Sequence, residues 1–567
     1  MANRGSSTVA TREGTMSALL ESLDENQRRV ALALIGPVRV LAGAGSGKTR
    51  AITHRIAYGV ETGVYSPDKV LALSFTTKAA GEMKSRLAGL GVSGVACRTF
   101  HSAALSQLGH FWPDRVGGSS PSVRSSKAPL LTQAAEQLRL PATTEVIRAV
   151  AAEIEWRKVR LMSPEAYREG IASRPLPTGI SADALVGIME RYESLKDDRR
   201  ELDFEDVLTA TLGLLTSTPW AAEQVRERYR FLVVDEYQDV SPVQRALLEA
   251  WRGTRSDVCV VGDPNQTIYT FAGANAEYLL GFEREFPEAR TIELDTTYRS
   301  TPEIVRMANA VVPDSPLQLV ATRESGPEVR VLSASSDAEE AEAVARDIRR
   351  AIDAGTPARN IAVLYRINSQ SLAIESALGA VGVPFRVRGA RFFQDESVRR
   401  AMTLIGGMAE SEPATLARDG LALILREHFN WISKPPPNPI ERQSWDVLAA
   451  IQTLTDALAP TATVRDLRDE LRNRAADDRE PAIDAVTLST VHAAKGLEWN
   501  TVFVIGLSEG LFPLSYAVSE VALAEERRLT YVAVTRAEQS LTLSWAERAS
   551  GSGTTRARSR FIPDALG

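Results

Sequence analysis

Ala42-Gly43-Ala44-Gly45-Ser46-Gly47-Lys48-Thr49 follows an apolar run, 38–41, that predicts a buried strand, and precedes a segment, 50–57, that predicts a helix. A glycine-rich loop in this position lets successive backbone N–H groups point into one cavity, where they cradle phosphate oxygens. The pattern is a Walker A motif with Ala42 in place of the usual glycine; Lys48 suits the β- and γ-phosphates, and the Thr49 hydroxyl suits Mg²⁺. A plain turn of small residues is the alternative. The flanking strand and helix and the final Lys-Thr pair favour nucleoside triphosphate binding.

The composition is that of a globular chain with several domains. Its 567 residues suffice for three or four domains of about 100–200 residues, and 44% are hydrophobic and 24% charged. No apolar run is long enough to span a bilayer. Residues 1–15 are polar, so we expect a frayed tail rather than a secretory signal. The net charge of −6 argues weakly against nucleic-acid binding, although binding in a groove depends on local potential rather than on the sum.

The two cysteines, Cys97 and Cys259, are too few for a disulfide scaffold or a four-cysteine zinc site. We expect both to be small buried residues of strands. A reducing, cytoplasmic setting fits this cysteine usage.

Short apolar runs rich in β-branched residues alternate with longer amphipathic stretches along the chain. This alternation predicts an α/β fold with parallel sheets, because parallel strands buried on both faces are short and apolar. The strand candidates are 70–74, 231–234, 258–261, 361–365 and 502–505. Residues 105–200 and 397–484 break the rhythm with helical patterns, and we interpret them as insertions into the sheet domains. For the second, a surface excursion without its own core is the alternative.

One strand candidate, 231–234, ends in two carboxylates, Asp235 and Glu236. A strand end beside a phosphate-binding loop is where a Walker B motif belongs. Asp235 would then hold Mg²⁺, directly or through water, and Glu236 would polarise the water that attacks the γ-phosphate. Taken alone, the pair is equally well explained by an ordinary turn; in one chain with a Walker A motif, the catalytic interpretation is favoured.

The strand candidate 258–261 is followed by a polar loop that contains Gln266, Tyr269 and Phe271. The amide of Gln266 could sense a γ-phosphate or orient water. Tyr269 and Phe271 could offer aromatic faces to nucleic-acid bases, at about 1–3 kcal/mol per base. Burial of both aromatic rings in the core is the alternative on local pattern alone.

Two arginines lie far from the Walker A motif in the sequence, Arg299 in 298–301 (YRST) and Arg536 in 531–537 (YVAVTRA). A P-loop ATPase needs a cation to offset the charge that develops on the γ-phosphate. Arginines supplied from a second domain would make closure of the interdomain cleft depend on ATP. The alternative for each is a solvated surface residue.

These motifs, together with others, occur in the order typical of one helicase family. Across roughly residues 20–564 the chain closely resembles the UvrD/PcrA/Rep branch of superfamily 1 helicases. The segments that carry the resemblance are 23–27 (LDENQ), Walker A, 75–83 (FTTKAAGEM), 99–102 (TFHS), 202–206 (LDFED), 234–239 (VDEYQD), 261–266 (VGDPNQ), 298–301 (YRST), 490–498 (TVHAAKGLE) and 531–537 (YVAVTRA).

The resemblance implies two RecA-like P-loop motor domains with parallel sheets, each carrying a helical insertion. Motor domain 1A, which binds ATP, is expected at 1–104 and 203–290, with insertion 1B at 105–202. Motor domain 2A is expected at 291–396 and 485–567, with a shortened insertion 2B at 397–484. ATP is expected between the motor domains, and single-stranded DNA across their top.

The resemblance also implies a role for each matching residue. Gln27 is expected to read the adenine edge, Tyr298 to stack on the ring and Glu498 to touch the ribose. Arg50 is expected beside the nucleotide, and Arg299 and Arg536 at the γ-phosphate. The residues expected to contact single-stranded DNA are Phe75, Thr76, Thr99, His101, Tyr269, Phe271 and His492. For His101 and His492, a role as capped or core histidines is the alternative.

The sequence departs from the family pattern in several places. Phe271-Ala-Gly-Ala stands where relatives commonly have Trp-Arg-Gly-Ala, so stacking survives but one cation is lost. Thr77 replaces a usual Asn. The 2B candidate is short, which puts processivity and autoinhibition in doubt. Trp499, where relatives often carry Phe, is expected to be a packing residue.

We therefore expect an ATP-dependent 3′→5′ DNA helicase that uses ATP and Mg²⁺ to move on single-stranded DNA and unwind duplexes, in cytoplasmic DNA repair or replication. Single strands and single-strand/duplex junctions are its expected partners, with no membrane; one chain can form a complete ATP site, which favours a monomer. The alternatives are a single-strand translocase that displaces proteins without robust unwinding, a nucleotide-gated regulatory subunit, and an ATPase without a nucleic-acid partner. The intact carboxylate pair argues against the regulatory subunit.

Overall fold

The computed structural model describes residues 18–170, 180–388, 393, 396–429, 431, 439–476, 484–549 and 555–563. The expected N-terminal tail, 1–15, lies outside the described residues. Among the helices that are described, none is both long and apolar enough to cross a membrane.

Two six-stranded sheets, in which all strand pairs are parallel, organise the described part of the chain. The strands, in chain order, are β1 (Val38–Ala42), β2 (Val70–Ser74), β3 (Ala96–Thr99), β4 (Ser122–Val123), β5 (Glu201–Leu202), β6 (Phe231–Val234), β7 (Val258–Gly262), β8 (Arg290–Leu294), β9 (Thr296–Thr297), β10 (Val320–Ala321), β11 (Arg330–Ala334), β12 (Ile361–Tyr365), β13 (Phe385–Val387), β14 (Val486–Thr490), β15 (Trp499–Val504) and β16 (Ala537–Ala546).

Helices cover both sheets and form two separate bundles. They are α1 (Ala18–Glu21), α2 (Glu25–Leu32), α3 (Lys48–Glu61), α4 (Thr77–Gly89), α5 (Phe100–Arg115), α6 (Ala128–Gln137), α7 (Thr144–Val159), α8 (Pro164–Gly170), α9 (Ala182–Arg199), α10 (Phe204–Ser217), α11 (Pro219–Arg228), α12 (Pro242–Arg252), α13 (Glu277–Leu280), α14 (Phe282–Glu285), α15 (Pro302–Val311), α16 (Asp337–Asp353), α17 (Ser371–Ala380), α18 (Glu396–Ser411), α19 (Ala417–Phe429), α20 (Pro439–Asp456), α21 (Val464–Ala476) and α22 (Glu520–Val534).

The first sheet has the strand order β3-β2-β6-β7-β1-β8, and the second has the order β11-β16-β15-β12-β14-β13. We call the first sheet with its covering helices the first lobe, and the second sheet with its covering helices the second lobe. Because the strands of a sheet are parallel, the loops that follow β1, β6 and β7 all leave the first sheet at one edge, beside the central strands. The expected boundary between 290 and 291 falls at the start of β8. Since β8 pairs with β1, the first sheet extends to Leu294.

The prediction of an α/β fold with parallel sheets is confirmed. Every residue of β1, β2, β6, β7 and β12 is buried, because helices cover both faces of each sheet. Cys259 is buried in β7 as expected, whereas Cys97 in the edge strand β3 is only half-buried.

The two helical segments differ in how much of each is separate from the sheets. Helices α6 to α9 share a core of their own, whereas α5, α10 and α11 pack on the first sheet. Helices α18 to α21 enclose another core, which includes Ile405, Leu421, Ile451 and Leu467. The alternative of a surface excursion without its own core is therefore wrong for the second segment.

Candidate active site

The loop between β1 and α3 is built to receive an anion. Gly45 and Gly47 have φ of 75° and 78°, which glycine adopts without strain. Helix α3 begins at Lys48 without a side-chain hydrogen bond to its N-cap, Gly47, so its first N–H groups remain available. The buried hydroxyl of Ser46 has no hydrogen-bond partner within the described residues. Free donors and the positive end of the helix dipole together favour a phosphate at this loop.

Two carboxylates follow β6 beside this loop. Glu236 has a left-handed backbone, φ 53°, and its N–H donates to Oδ1 of Asp235 at 2.9 Å. Nζ of Lys48 lies 3.7 Å from Oε1 of Glu236, and Nε2 of Gln238 donates to Oε2 at 2.6 Å. Burial and the charge of Glu236 raise the pKa of Asp235. Burial also opposes ionisation of Glu236, but Lys48 and Lys495 outweigh it and lower the pKa of Glu236.

The donor set at this point suits a hard divalent cation. The Asp235 carboxylate is buried next to a second carboxylate, a combination that a cation would stabilise. The half-buried Thr49 is the second residue of α3, on the phosphate-binding loop. No group of three or more acidic, His or Cys side chains suited to a metal occurs in the part of the chain that the structure describes. Asp235 and Thr49 therefore fit Mg²⁺ that is held by one or two protein oxygens together with phosphate oxygens.

Cationic side chains of the second lobe reach the same place. Arg536 is 1% exposed, and its Nη2 donates to Oε1 of Gln266 in the first lobe at 3.5 Å. Arg299 donates to the Glu498 carboxylate at 2.7 Å and to the carbonyl of Thr535 at 3.1 Å. Burial and the charge of Arg299 lower the pKa of Arg536 to about 9. Two crowded guanidinium groups at the seam between the lobes favour an anion between them.

The phosphate-binding loop also packs directly on the second lobe. The N–H of Tyr298 donates to the carbonyl of Gly45 at 3.0 Å, and a Cβ at Gly45 would lie 2.5 Å from Oγ1 of Thr297. Nε2 of Gln27 donates to the carbonyl of Ser46 in the same loop at 3.0 Å. The hydroxyl of the half-exposed Tyr298 donates to Oδ2 of Asp24, and the N–H of Gln27 donates to Oδ1 of the same carboxylate at 2.7 Å. The structure thus brings Gln27 and Tyr298 together beside the phosphate-binding loop.

The remaining residues expected at the nucleotide lie around this loop. Nη2 of Arg50 donates to the carbonyl of Ser22 at 2.6 Å, and the Arg50 side chain is exposed. Ala42 and Gly43 are buried where β1 ends. Ala44 is buried among second-lobe residues that include Leu319.

Three aromatic rings lie beside the edge of the first sheet at which the loop after β7 emerges. They belong to Tyr269, Phe271 and His492, which we call the second aromatic cluster. Phe271 is 65% exposed, and the centroid of its ring lies 6.1 Å from that of Tyr269 and 6.0 Å from that of His492. The Tyr269 hydroxyl donates to the carbonyl of His492 at 3.3 Å. The alternative that Phe271 is a core residue is therefore wrong.

A first aromatic pair, His101 and Phe204, lies on the first lobe. The two rings stack with centroids 3.7 Å apart and planes 13° apart, and Phe204 is 55% exposed. Burial lowers the pKa of His101 to about 4, so the ring is neutral at pH 7. A neutral imidazole stacked under an exposed phenyl ring is suited to carry a nucleic-acid base.

Three other residues expected at DNA lie near this pair, at the ends of β2 and β3. Thr76 and Thr99 are N-caps, and their hydroxyls accept from the N–H groups of Ala79 and Ser102. Phe75 is half-buried. The threonines therefore have a helix-capping role whether or not they contact DNA.

Sequence reasoning gave no role to four residues that the fold places in this region. They are Phe204, Lys495, Asp263 and Tyr531. Nζ of Lys495 donates to the carbonyl of Gln266 at 2.5 Å, and the Tyr531 hydroxyl lies 3.3 Å from Oδ2 of Asp263, so both join the lobes. All four lie in motifs quoted above or beside them, but their cross-lobe contacts and ring exposure have no signal in the sequence. Trp499 is buried in the core of the second lobe, as expected.

Comparison with known proteins adds an independent finding. Residues 23–287 match the UvrD/REP helicase N-terminal domain, and residues 292–430 and 446–548 match the UvrD-like helicase C-terminal domain. The chain is 41% identical to the ATP-dependent DNA helicase UvrD2 of Mycobacterium tuberculosis, over 96% of this chain and 81% of that protein. It is 29% identical to the ATP-dependent DNA helicase PcrA of Bacillus subtilis, over 96% of this chain and 86% of that protein.

Proposed function

Because the chain belongs to the UvrD/REP helicase family, we propose that it is an ATP-dependent DNA helicase that moves 3′→5′ along single-stranded DNA. The observation that carries the proposal is the seam, where Arg536 of the second lobe lies 3.5 Å from Gln266 of the first. The relatives named above are DNA helicases, which supports DNA as the track.

In the proposed cycle, ATP holds the two lobes together. Lys48 and the N–H groups that open α3 bind its phosphates, while Arg299 and Arg536 reach the γ-phosphate from the second lobe. The ionised Glu236 accepts a proton from the attacking water, and Gln266 orients that water. Because the arginines and the loop belong to different lobes, ATP binds the closed arrangement more tightly, and its loss after hydrolysis lets the lobes separate.

We propose that Asp235 and Thr49 hold Mg²⁺ with the phosphates. The bound cation would neutralise charge on the phosphate oxygens and thereby assist displacement at the γ-phosphorus. Its presence would also keep Asp235 ionised despite the burial that raises the pKa of that carboxyl.

Single-stranded DNA is proposed to cross both lobes at the carboxyl edge of the sheets. Its bases would stack on the first aromatic pair and on the second aromatic cluster, whose His492 belongs to the second lobe. Relative movement of the lobes then changes the distance between two base-holding surfaces, which moves the strand. We propose that this takes place in the cytoplasm, in repair or replication, and that a monomer suffices because both lobes belong to one chain.

The domain division is proposed with boundaries adjusted to the sheets. Motor domain 1A would include α5, α10 and α11 and end after Leu294, because those helices and β8 pack in the first lobe. Insertion 1B would then be limited to the bundle of α6 to α9. Insertion 2B would comprise α18 to α21.

Unwinding of a labelled duplex with a 3′ tail, a 5′ tail or blunt ends tests the activity and its direction together. We expect ATP-dependent strand separation of the 3′-tailed duplex alone. Preference for the 5′ tail would overturn the direction, and absence of any DNA stimulation of ATP hydrolysis would leave an ATPase without a nucleic-acid partner.

A single-strand translocase that displaces proteins is the second candidate, favoured by the small size of the α18–α21 bundle. It predicts ATP-dependent release of streptavidin from a biotinylated single strand without separation of the 3′-tailed duplex. Comparable rates in both assays would exclude it.

A further inference from the structure

We propose that Lys158 and Val159, the last two residues of α7, are positioning residues that set the distance between the first aromatic pair and the second aromatic cluster. The inference rests on the proposed function, because it concerns how the protein holds the bases of a single strand. It assigns a task to the α6–α9 bundle, of which no described residue was placed at the seam.

Lys158 fixes the first aromatic pair through the start of α10. Its Nζ donates to Oδ2 of Asp203 at 2.7 Å and to Oδ1 of Asp206 at 2.6 Å. These two carboxylates form the capping box of α10 and bracket Phe204, its first helical residue. Lys158 is 7% exposed, so the orientation of the helix start is held by a buried charge rather than by a solvated one.

A second lysine of the same bundle completes this buried cluster. Lys196 of α9 also contacts Asp203, at 3.1 Å, and Glu193 lies within 2.8 Å of both lysine nitrogens. The Tyr192 hydroxyl donates to Asp203 at 3.1 Å. Two lysines thus face three carboxylates, and rotation of α10 relative to α7 would separate desolvated opposite charges, which is strongly unfavourable.

Val159 contacts the turn that presents Phe271, a member of the second aromatic cluster. A Cβ added at Gly273, whose φ is 90°, would lie 2.5 Å from Cγ1 of Val159. Gly273 ends the short turn that presents Phe271, and its N–H donates to the carbonyl of Thr270 at 3.0 Å. Only glycine allows the valine to approach this closely, so the end of α7 is in direct contact with the turn.

One helix end therefore touches the supports of both base-stacking surfaces. Because Lys158 and Val159 are adjacent in a helix, the two contacts cannot move independently. The end of α7 thus acts as a spacer that sets the distance between Phe204 and Phe271, and with it how many bases fit between them. Loss of either contact should loosen the grip on DNA and leave the nucleotide site intact.

The first test replaces Lys158 with methionine, which keeps the volume and removes the charge. The control is Arg39→Met, which also removes a buried cation of an ion pair, here with Glu283; the contacts of Arg39 reach neither aromatic group. The readouts are the oligo(dT) concentration that half-saturates ATPase stimulation, the KM for ATP without DNA, and fluorescence quenching of 2-aminopurine in an oligonucleotide.

We expect Lys158→Met to raise the half-saturating oligo(dT) concentration at least fivefold and to reduce 2-aminopurine quenching, with the KM for ATP changed less than twofold. Arg39→Met should lower only the unfolding temperature. If Lys158→Met behaves like Arg39→Met, the inference is overturned. If the wild-type ATPase does not respond to oligo(dT), the proposed function itself fails, which is a distinct result.

The second test does not depend on the buried charges and remains available if Lys158→Met does not fold. Gly273→Ala should raise the half-saturating oligo(dT) concentration about tenfold, since the new methyl group collides with Val159. Adding Val159→Ala removes the collision but not the strain of a positive φ, so we expect about threefold of the loss to be recovered. A double variant whose half-saturating oligo(dT) concentration is no lower than that of Gly273→Ala would overturn the inference.

Discussion

Replacement of Arg536 by alanine tests the seam most directly. Its guanidinium donates to the carbonyls of Val532 at 2.9 Å and Leu497 at 3.0 Å and lies 3.5 Å from Oε1 of Gln266. An arginine supplied to a P-loop site is worth about 10³–10⁵ in turnover, so its loss should raise the activation barrier by about 4–7 kcal/mol. The variant also removes the donor to the partly buried carbonyl of Leu497, at about 1–3 kcal/mol in stability, whereas the carbonyl of Val532 still accepts from the Thr535 hydroxyl at 3.2 Å.

Arg299→Ala separates the effect on ATP turnover from the effect on stability. The Arg299 side chain pairs with the Glu498 carboxylate, which is 53% exposed, so its removal breaks a partly solvated ion pair and should cost less stability than removal of the buried Arg536. We expect ATP hydrolysis at saturating poly(dT) to fall at least about 10³-fold in both variants. Thermal unfolding, measured on the same preparations, should fall clearly only for Arg536→Ala. Turnover within tenfold of wild type in folded Arg536→Ala would refute the assignment of this residue to the γ-phosphate.

Three further outcomes follow from the geometry. Gly45→Ala should abolish binding of a fluorescent ATP analogue, because the new Cβ would lie 2.5 Å from Oγ1 of Thr297. The control Gly36→Ala, also at positive φ but with open space around it, should retain binding. Equal losses of binding in the two variants would contradict the steric reason. Phe271→Ala should weaken oligo(dT) binding in fluorescence anisotropy by about 1–3 kcal/mol, roughly 5–150-fold, and a change below twofold would exclude stacking there. Burial lowers the pKa of His101 from 6.5 to about 4, so its stabilising contribution is complete above pH 6.5 and is lost as the pH falls toward 4. The unfolding temperatures of wild type and His101→Asn should therefore converge between pH 7.5 and 5; parallel curves would contradict this.

The features of this protein that occupy one continuous stretch of chain could be predicted from its sequence. The runs 70–74, 231–234 and 361–365 coincide with β2, β6 and β12, because central parallel strands must be apolar on both faces. Edge strands such as β3 and β11, which are only half-buried, lack that continuous pattern and were not predicted. The Walker A loop was equally clear, since a phosphate cradle needs a fixed order of small residues along one stretch of backbone.

What joins distant segments was decided by the tertiary structure alone. The stacking of Phe204 on His101, the contact of Lys495 with Gln266 and the approach of Val159 to Gly273 each connect residues about 100 or more positions apart. Even the extent of insertion 1B depends on packing, because the helical pattern of α5 does not say whether that helix packs on the first sheet, as it does, or on another helix. A sequence fixes which side chains are available at each position and the local backbone preference. Which of them meet is set by the packing of two sheets and two bundles, and that depends on the whole chain at once.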